Sequence, residues 1–127
     1  MMNLCCNVLK ALQGKTLVTA ESCTGGGIGA ALTAVPGSSA VYKGGIICYT
    51  DWVKENLLKV PTVLLESEGA VSASVARAMA VGARIQLHAD IAVSVTGLAG
   101  PSGDDFGNPV GTVYIGYSDA KQDLSVC

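Results

Sequence analysis

Thr16-Leu17-Val18-Thr19-Ala20 runs directly into Glu21-Ser22-Cys23-Thr24-Gly25-Gly26-Gly27, and the residues that follow to Thr33 are small and apolar. An extended apolar run that ends in hydroxyls and glycines and then becomes a small-residue helix is a strand-turn-helix unit. The expected strand covers Thr16 to Ala20 and the helix starts at about Gly26. Glycines allow positive φ and close backbone approach, and a helix N-terminus favours anionic groups. The turn can therefore hold a nucleophile, cradle a phosphate, or do both.

The rest of the chain repeats this alternation. Leu4, Val8, Leu9 and Leu12 recur at helical spacing before Gly14. Val35-Pro36-Gly37-Ser38-Ser39 ends the second helix, and Val41 to Tyr49 reads as a strand interrupted by Gly44-Gly45, where a bulge or a close backbone approach is expected. Asp51 opens a helix with Lys54 on its first turn, and Val63 to Ser67 reads as another short helix. Ser72 caps the longest helix, Ala73 to His88, whose Val75, Met79, Ala83 and Leu87 form a stripe that leaves Arg77 and Arg84 outside it. Asp90 to Thr96 alternates like a strand, Gly97 to Asp105 is a glycine-rich loop, and Gly111 to Tyr117 is the last strand expected. That loop is too short for a helical crossover, so the fold class is α/β, a layered domain with a central mixed sheet flanked by helices.

At 127 residues the chain is expected to be one domain, residues 1–127. With 50% hydrophobic and 14% charged residues, apolar surface is expected to be buried in the sheet, against a partner subunit, or both, so homo-oligomerisation is expected. A net charge of -2 without a Lys/Arg cluster argues against nucleic acid as a partner. No targeting segment or long apolar run is present, and the five cysteines follow no C-x-x-C spacing, so a cytoplasmic protein with reduced thiols and no membrane partner is expected.

Few residues qualify for chemistry. His88, the lone histidine, closes an apolar helix beside Asp90 and reads as a cap or surface residue. Without a histidine base, a hydroxyl nucleophile needs a lysine whose neutral amine is favoured by burial, and Lys54, near Tyr49, Trp52 and Val53, is the candidate. Glu21 orients a backbone or ribose hydroxyl, or else caps the following helix. Cys23 has no visible thiolate-stabilising base, and adjacent Asp104 and Asp105 are a weak metal signal. Gly25-x-Gly27-x-x-Ala30 with Asp51 is only a degenerate dinucleotide fingerprint. The turns at Ser22–Gly27, Pro36–Ser39 and Thr96–Gly103 are expected to converge at one end of the sheet.

Taken in order, Ala20-Glu21-Ser22-Cys23-Thr24-Gly25-Gly26, Pro36-Gly37-Ser38-Ser39, Gly44-Gly45 with Tyr49 and Lys54, Gly69-Ala70-Val71-Ser72, Thr96-Gly97-x-Ala99-Gly100-Pro101 and Pro109-Val110-Gly111-Thr112-Val113 resemble the C-terminal domain of the competence/damage-inducible protein CinA family. The resemblance implies a commonly dimeric α/β domain that deamidates nicotinamide mononucleotide to nicotinate mononucleotide and ammonia, with no metal or other cofactor. It implies Ser22 as nucleophile and Lys54 as base, with Tyr49, Ser39 and Thr96 orienting the dyad or the substrate. The amides near Thr24, Gly25 and Gly26 would hold an oxyanion, and the loop through Gly97 and Gly100 would meet phosphate or ribose. The family pattern continues through a further strand, a Gly-x-Arg motif and a helix, so the resemblance implies a domain lacking its last strand and helix. It leaves two other readings to weigh, a non-catalytic nucleotide-binding or assembly module and a dinucleotide-binding half-domain.

Overall fold

The computed structural model describes residues 1–127. Eleven elements follow one another: α1 (Met2–Ala11), β1 (Leu17–Glu21), α2 (Gly27–Thr33), a 3₁₀ turn (Ser38–Ala40), β2 (Tyr42–Ile47), α3 (Asp51–Asn56), α4 (Thr62–Glu68), α5 (Ala73–Gln86), β3 (Ile91–Gly97), β4 (Val113–Ser118) and β5 (Asp123–Val126). The strands form one mixed sheet in the order β2-β1-β3-β4-β5. β1 runs parallel to both β2 and β3, whereas β3–β4 and β4–β5 are antiparallel. The α/β layering expected from the alternation of patterns is therefore present.

β1 is buried along its whole length, with helices on both faces of the sheet. Val18 and Ala20 join Val75, Met79, Ala80 and Ala83 of α5 and Leu58, Val60 and Leu65 in one core cluster. Leu17 and Ile91 face the other way, into a second cluster with Cys5 and Leu9 of α1, Leu32 of α2, and Val35 and Val41. Alternation in β3 consequently separates two packed faces rather than a dry face from a wet one. Ile91 and Ala92 are both buried, and the buried Ser94 hydroxyl donates to the Ala76 carbonyl at 2.6 Å.

Small residues set the distance between α5 and the sheet. A Cβ on Gly116 of β4 would collide with the backbone carbonyl of Ala76 and with the Ser94 hydroxyl. Neither backbone can retreat without opening the core, so Gly116→Ala should destabilise the domain by about 3 kcal/mol. Chemical denaturation would check this, and a stability loss near zero would show that α5 does not ride as close to β4 as drawn.

The expected break in β2 is a register shift: Leu17 pairs with Tyr42 but Val18 with Gly44. Gly45 is also a close approach, since a Cβ there would meet Thr19. Ser72 caps α5 as expected, accepting from the Val75 amide at 3.4 Å. Arg77 and Arg84, outside the apolar stripe, donate to Ser125 at 2.7 Å and Ser118 at 2.9 Å and so tie α5 to β5 and β4. β5 was not anticipated from the sequence. It is a short edge strand reached through a turn in which the Asp119 carboxylate accepts the Lys121 and Gln122 amides.

Candidate active site

The parallel strands β2, β1 and β3 finish at the same end of the sheet, the usual ligand position in such folds. Ser22 is the first residue beyond β1, and the strands on both sides lock it in place. The Ser22 amide donates to Val95 of β3 at 3.0 Å, while the Cys48 amide donates to the Glu21 carbonyl at 2.9 Å. Ser22 is only 6% exposed.

Lys54 reaches this point from α3. The helix begins just after β2, at the same sheet end, and turns its fourth residue inward, where Lys54 is 2% exposed. Its Nζ lies 3.1 Å from Ser22 Oγ, 2.9 Å from the Cys48 carbonyl and 3.5 Å from the Tyr49 carbonyl. These partners are all uncharged. Burial lowers the lysine below its ordinary 10.5, and the nearby Cys48, Asp51 and Cys23 only partly oppose this. The two thiols offer no true counterion near neutral pH, because burial pushes Cys48 up to about 11 and also raises Cys23.

An ammonium would donate to all three of these oxygens, Ser22 Oγ included, whereas the neutral amine that burial favours meets them differently. Its two hydrogens have the two carbonyls as acceptors, and its lone pair remains for the Ser22 hydroxyl. The arrangement can take a proton from Ser22 and return it to a leaving group.

The turn after Ser22 supplies donors. Gly25 N–H is used by the Ser22 carbonyl and Gly27 N–H by the Thr24 carbonyl, whereas the Cys23, Thr24 and Gly26 amides donate to no backbone carbonyl, those of Cys23 and Thr24 facing only the weakly accepting Cys23 thiol. Such free amides beside a nucleophile suit an oxyanion. Glu21 settles as the helix cap of the two roles open to it. Its Oε1 accepts from Ile28 N at 2.8 Å and Thr24 Oγ1 at 2.8 Å, and its Oε2 from Gly29 N at 2.9 Å and Thr19 Oγ1 at 3.1 Å. Burial by itself would raise this carboxyl, but the Ile28 and Gly29 amides with the two threonines outweigh it and leave it lowered.

The other expected site residues divide by position. Gly97 lies against Cys23 and Thr112, so it borders the Ser22 turn directly. Buried Thr96 donates its hydroxyl to the Ala70 carbonyl at 2.8 Å, which fixes β3 to the segment before α5. Gly100 is exposed with φ 102° in the loop that follows. That loop is closed at its base by Leu98 and Thr112, and Asp104 spends its carboxylate on Phe106 and Asn108 within it. The Tyr49 side chain is 72% exposed at the rim, and only its carbonyl approaches Lys54.

Ser39 is not brought near Ser22 and Lys54 within one chain. It sits on the 3₁₀ turn that leads into β2, and β2 begins beside Leu17, at the sheet end opposite Ser22. The expectation that three turns meet at one end therefore holds for Ser22–Gly27 and Thr96–Gly103 but not for Pro36–Ser39. His88 is exposed just past α5 with φ 52°, where its carbonyl accepts from Lys43 Nζ at the start of β2. The structure holds no group of three or more His, Cys, Asp or Glu side chains placed to bind a metal ion, and no helix long and apolar enough to cross a membrane.

Comparison with known proteins sets this geometry among relatives. Residues 2–127 match the CinA C-terminal domain. A CinA-like protein of Synechococcus sp. is 58% identical over 109 residues, covering 84% of this chain and 26% of that protein. One from Geobacter sulfurreducens is 54% identical over 107 residues, again 84% and 26%. The chain thus spans about a quarter of the length of the curated relatives it matches. Among solved structures, the competence damage-inducible protein A of Klebsiella pneumoniae superposes with a TM-score of 0.94 at 38% identity, over 98% of this chain and 79% of that one. The competence/damage inducible protein CihA of Agrobacterium tumefaciens gives 0.93 at 40% identity, over 98% and 78%.

Proposed function

The chain belongs to the CinA C-terminal domain family, and on that footing we propose that it hydrolyses the carboxamide of nicotinamide mononucleotide to nicotinate mononucleotide and ammonia. The observation that carries the reading is Lys54 Nζ, buried and held by two carbonyls, 3.1 Å from Ser22 Oγ. Ser22 Oγ attacks the amide carbon as the neutral Lys54 amine takes its proton. The resulting oxyanion is held by amides of the Cys23–Gly26 segment. Lys54 then hands the proton to the amide nitrogen, the C–N bond breaks, and ammonia leaves an ester on Ser22. A water molecule, deprotonated by Lys54, adds to the ester, and collapse of that adduct releases the acid and restores the Ser22 hydroxyl.

No cofactor takes part in these steps. Tyr49 at the rim and the Gly97–Gly100 segment meet the substrate, with the phosphate and ribose on the loop side. Thr96 contributes by holding that strand end. The active form is a homodimer or higher homo-oligomer, a reading supported by the exposed Val113, Ile115, Leu124 and Val126 on one face of β4 and β5. Ser39, at the opposite end of its own sheet, would serve such an assembly rather than its own dyad. The protein acts in the cytoplasm on a small molecule, apart from nucleic acid and membranes.

Incubation with nicotinamide mononucleotide should release ammonia and nicotinate mononucleotide in equal amounts. Binding of the mononucleotide by calorimetry with no ammonia formed would instead mark a non-catalytic module.

A further inference from the structure

We propose that Glu21 is a positioning residue for the Ser22 nucleophile, acting as a clasp that spans the turn carrying it. This rests on the deamidase reading for its kinetic part. Glu21 is 2% exposed, and all of its hydrogen-bond partners are amides and hydroxyls rather than a lysine or arginine. Those partners come from three places: Thr19 on the strand before the turn, Thr24 within it, and Ile28 and Gly29 on the helix after it. Thr19 Oγ1 is itself 2.7 Å from the Tyr42 hydroxyl, which extends the network to β2.

Local sequence leaves α2 without a cap, because its N-cap residue is Gly26, in the left-handed region and lacking a side chain. A serine at that position would satisfy the helix but would leave its place relative to β1 unspecified. A carboxylate from the strand does both, because it joins the helix start to the residue that immediately precedes the nucleophile. The backbone carrying the Cys23, Thr24 and Gly26 amides runs between the clasped points and is held by them. The first-turn amides of α2 are thereby already in use, so an anionic group of the substrate must find its partners elsewhere.

The test uses Glu21→Gln, which keeps the size but sets an NH₂ against donors, and Glu21→Asp, which keeps the charge but is too short to span both legs. Steady-state kinetics and amide hydrogen exchange are measured for both beside the parent and Ser22→Ala. Misaimed donors should lower kcat by about 10²-fold in Glu21→Gln, with KM little changed and partial recovery in Glu21→Asp. Exchange should accelerate over residues 22–29 while α5 and β3 keep their protection. Parental kcat in a variant that retains native protection, a kcat that falls only in proportion to the folded fraction, or unchanged exchange over residues 22–29 would each overturn the proposal. If the parent releases no ammonia, or Ser22→Ala matches it, the deamidase reading has failed, and the exchange arm alone decides whether Glu21 holds the turn.

Discussion

Ser22→Ala should lower kcat for ammonia release by on the order of 10⁴-fold or more, because the covalent route disappears with the only atom that can take the acyl group. The fold should be nearly untouched. Ser22 is held by its backbone, through the Val95 carbonyl and the Glu21–Cys48 link, and its side chain makes one hydrogen bond, with Lys54 Nζ. Affinity for the mononucleotide, measured by calorimetry, should stay near parental, since the loss falls on the transition state. An Ala variant that retained more than a few per cent of parental turnover would remove Ser22 from the mechanism.

Lys54→Met should cost about 10³-fold in kcat, the middle of the range for a positioned general base. Adding it to Ser22→Ala should change little more, because the two side chains act as one unit. The stability of this variant carries a second signature. Lys54 has a lowered pKa in the folded state, so between that value and 10.5 the unfolded chain binds more protons. Parental stability should therefore rise with pH across that window, and below it the full cost of a buried ammonium remains. Methionine has no proton to bind. Its stability relative to the parent should be greatest at low pH and should shrink as the pH is raised toward 10.5. In parallel, the parental kcat/KM should climb with pH as the amine becomes neutral. Pressed in the other direction, a solvated and ordinarily charged lysine would give a flat difference in stability across the same range.

Much of the architecture was legible because it depends on patterns with one physical solution. An apolar run feeding glycines and then small residues could only bury itself as β1 and α2, and the Val75–Met79–Ala83 stripe specified the face that α5 turns to the sheet. Gly44-Gly45 signalled irregular pairing because residues without side chains neither fill a pleat nor resist a bulge. β5 escaped notice because a four-residue edge strand, mostly exposed, has almost no periodicity to display. Its clearest signal was Asp119 at the head of Asp-Ala-Lys-Gln, a side chain suited to capping a turn.

The site was legible where chemistry restricted the choice. With a lone histidine that reads as a cap, a hydroxyl nucleophile pointed to Lys54 as its base, while Ser22 was singled out by the family resemblance, and the structure places the buried Lys54 Nζ 3.1 Å from Ser22 Oγ. Position relative to the sheet was harder to read. Pro36–Ser39 has the composition of a ligand turn, yet it precedes a parallel strand rather than following one, and only the β1–β2 register shows that it lies at the opposite end. Glu21 was similarly ambiguous, since one carboxylate can cap a helix or bind a ribose. The choice between them depended on two amides eight residues or fewer away in sequence but brought back by the turn.

The central claim is an ester on Ser22, and hydroxylamine trapping tests it most directly. With nicotinamide mononucleotide as substrate, a nucleophile that intercepts the ester should divert product from nicotinate mononucleotide to the corresponding hydroxamate, while the ammonia released from the substrate continues undiminished. Neither product should form with Ser22→Ala. Steady ammonia release with no hydroxamate at any hydroxylamine concentration, or hydroxamate formed equally well by Ser22→Ala, would contradict an acyl-enzyme carried by this residue.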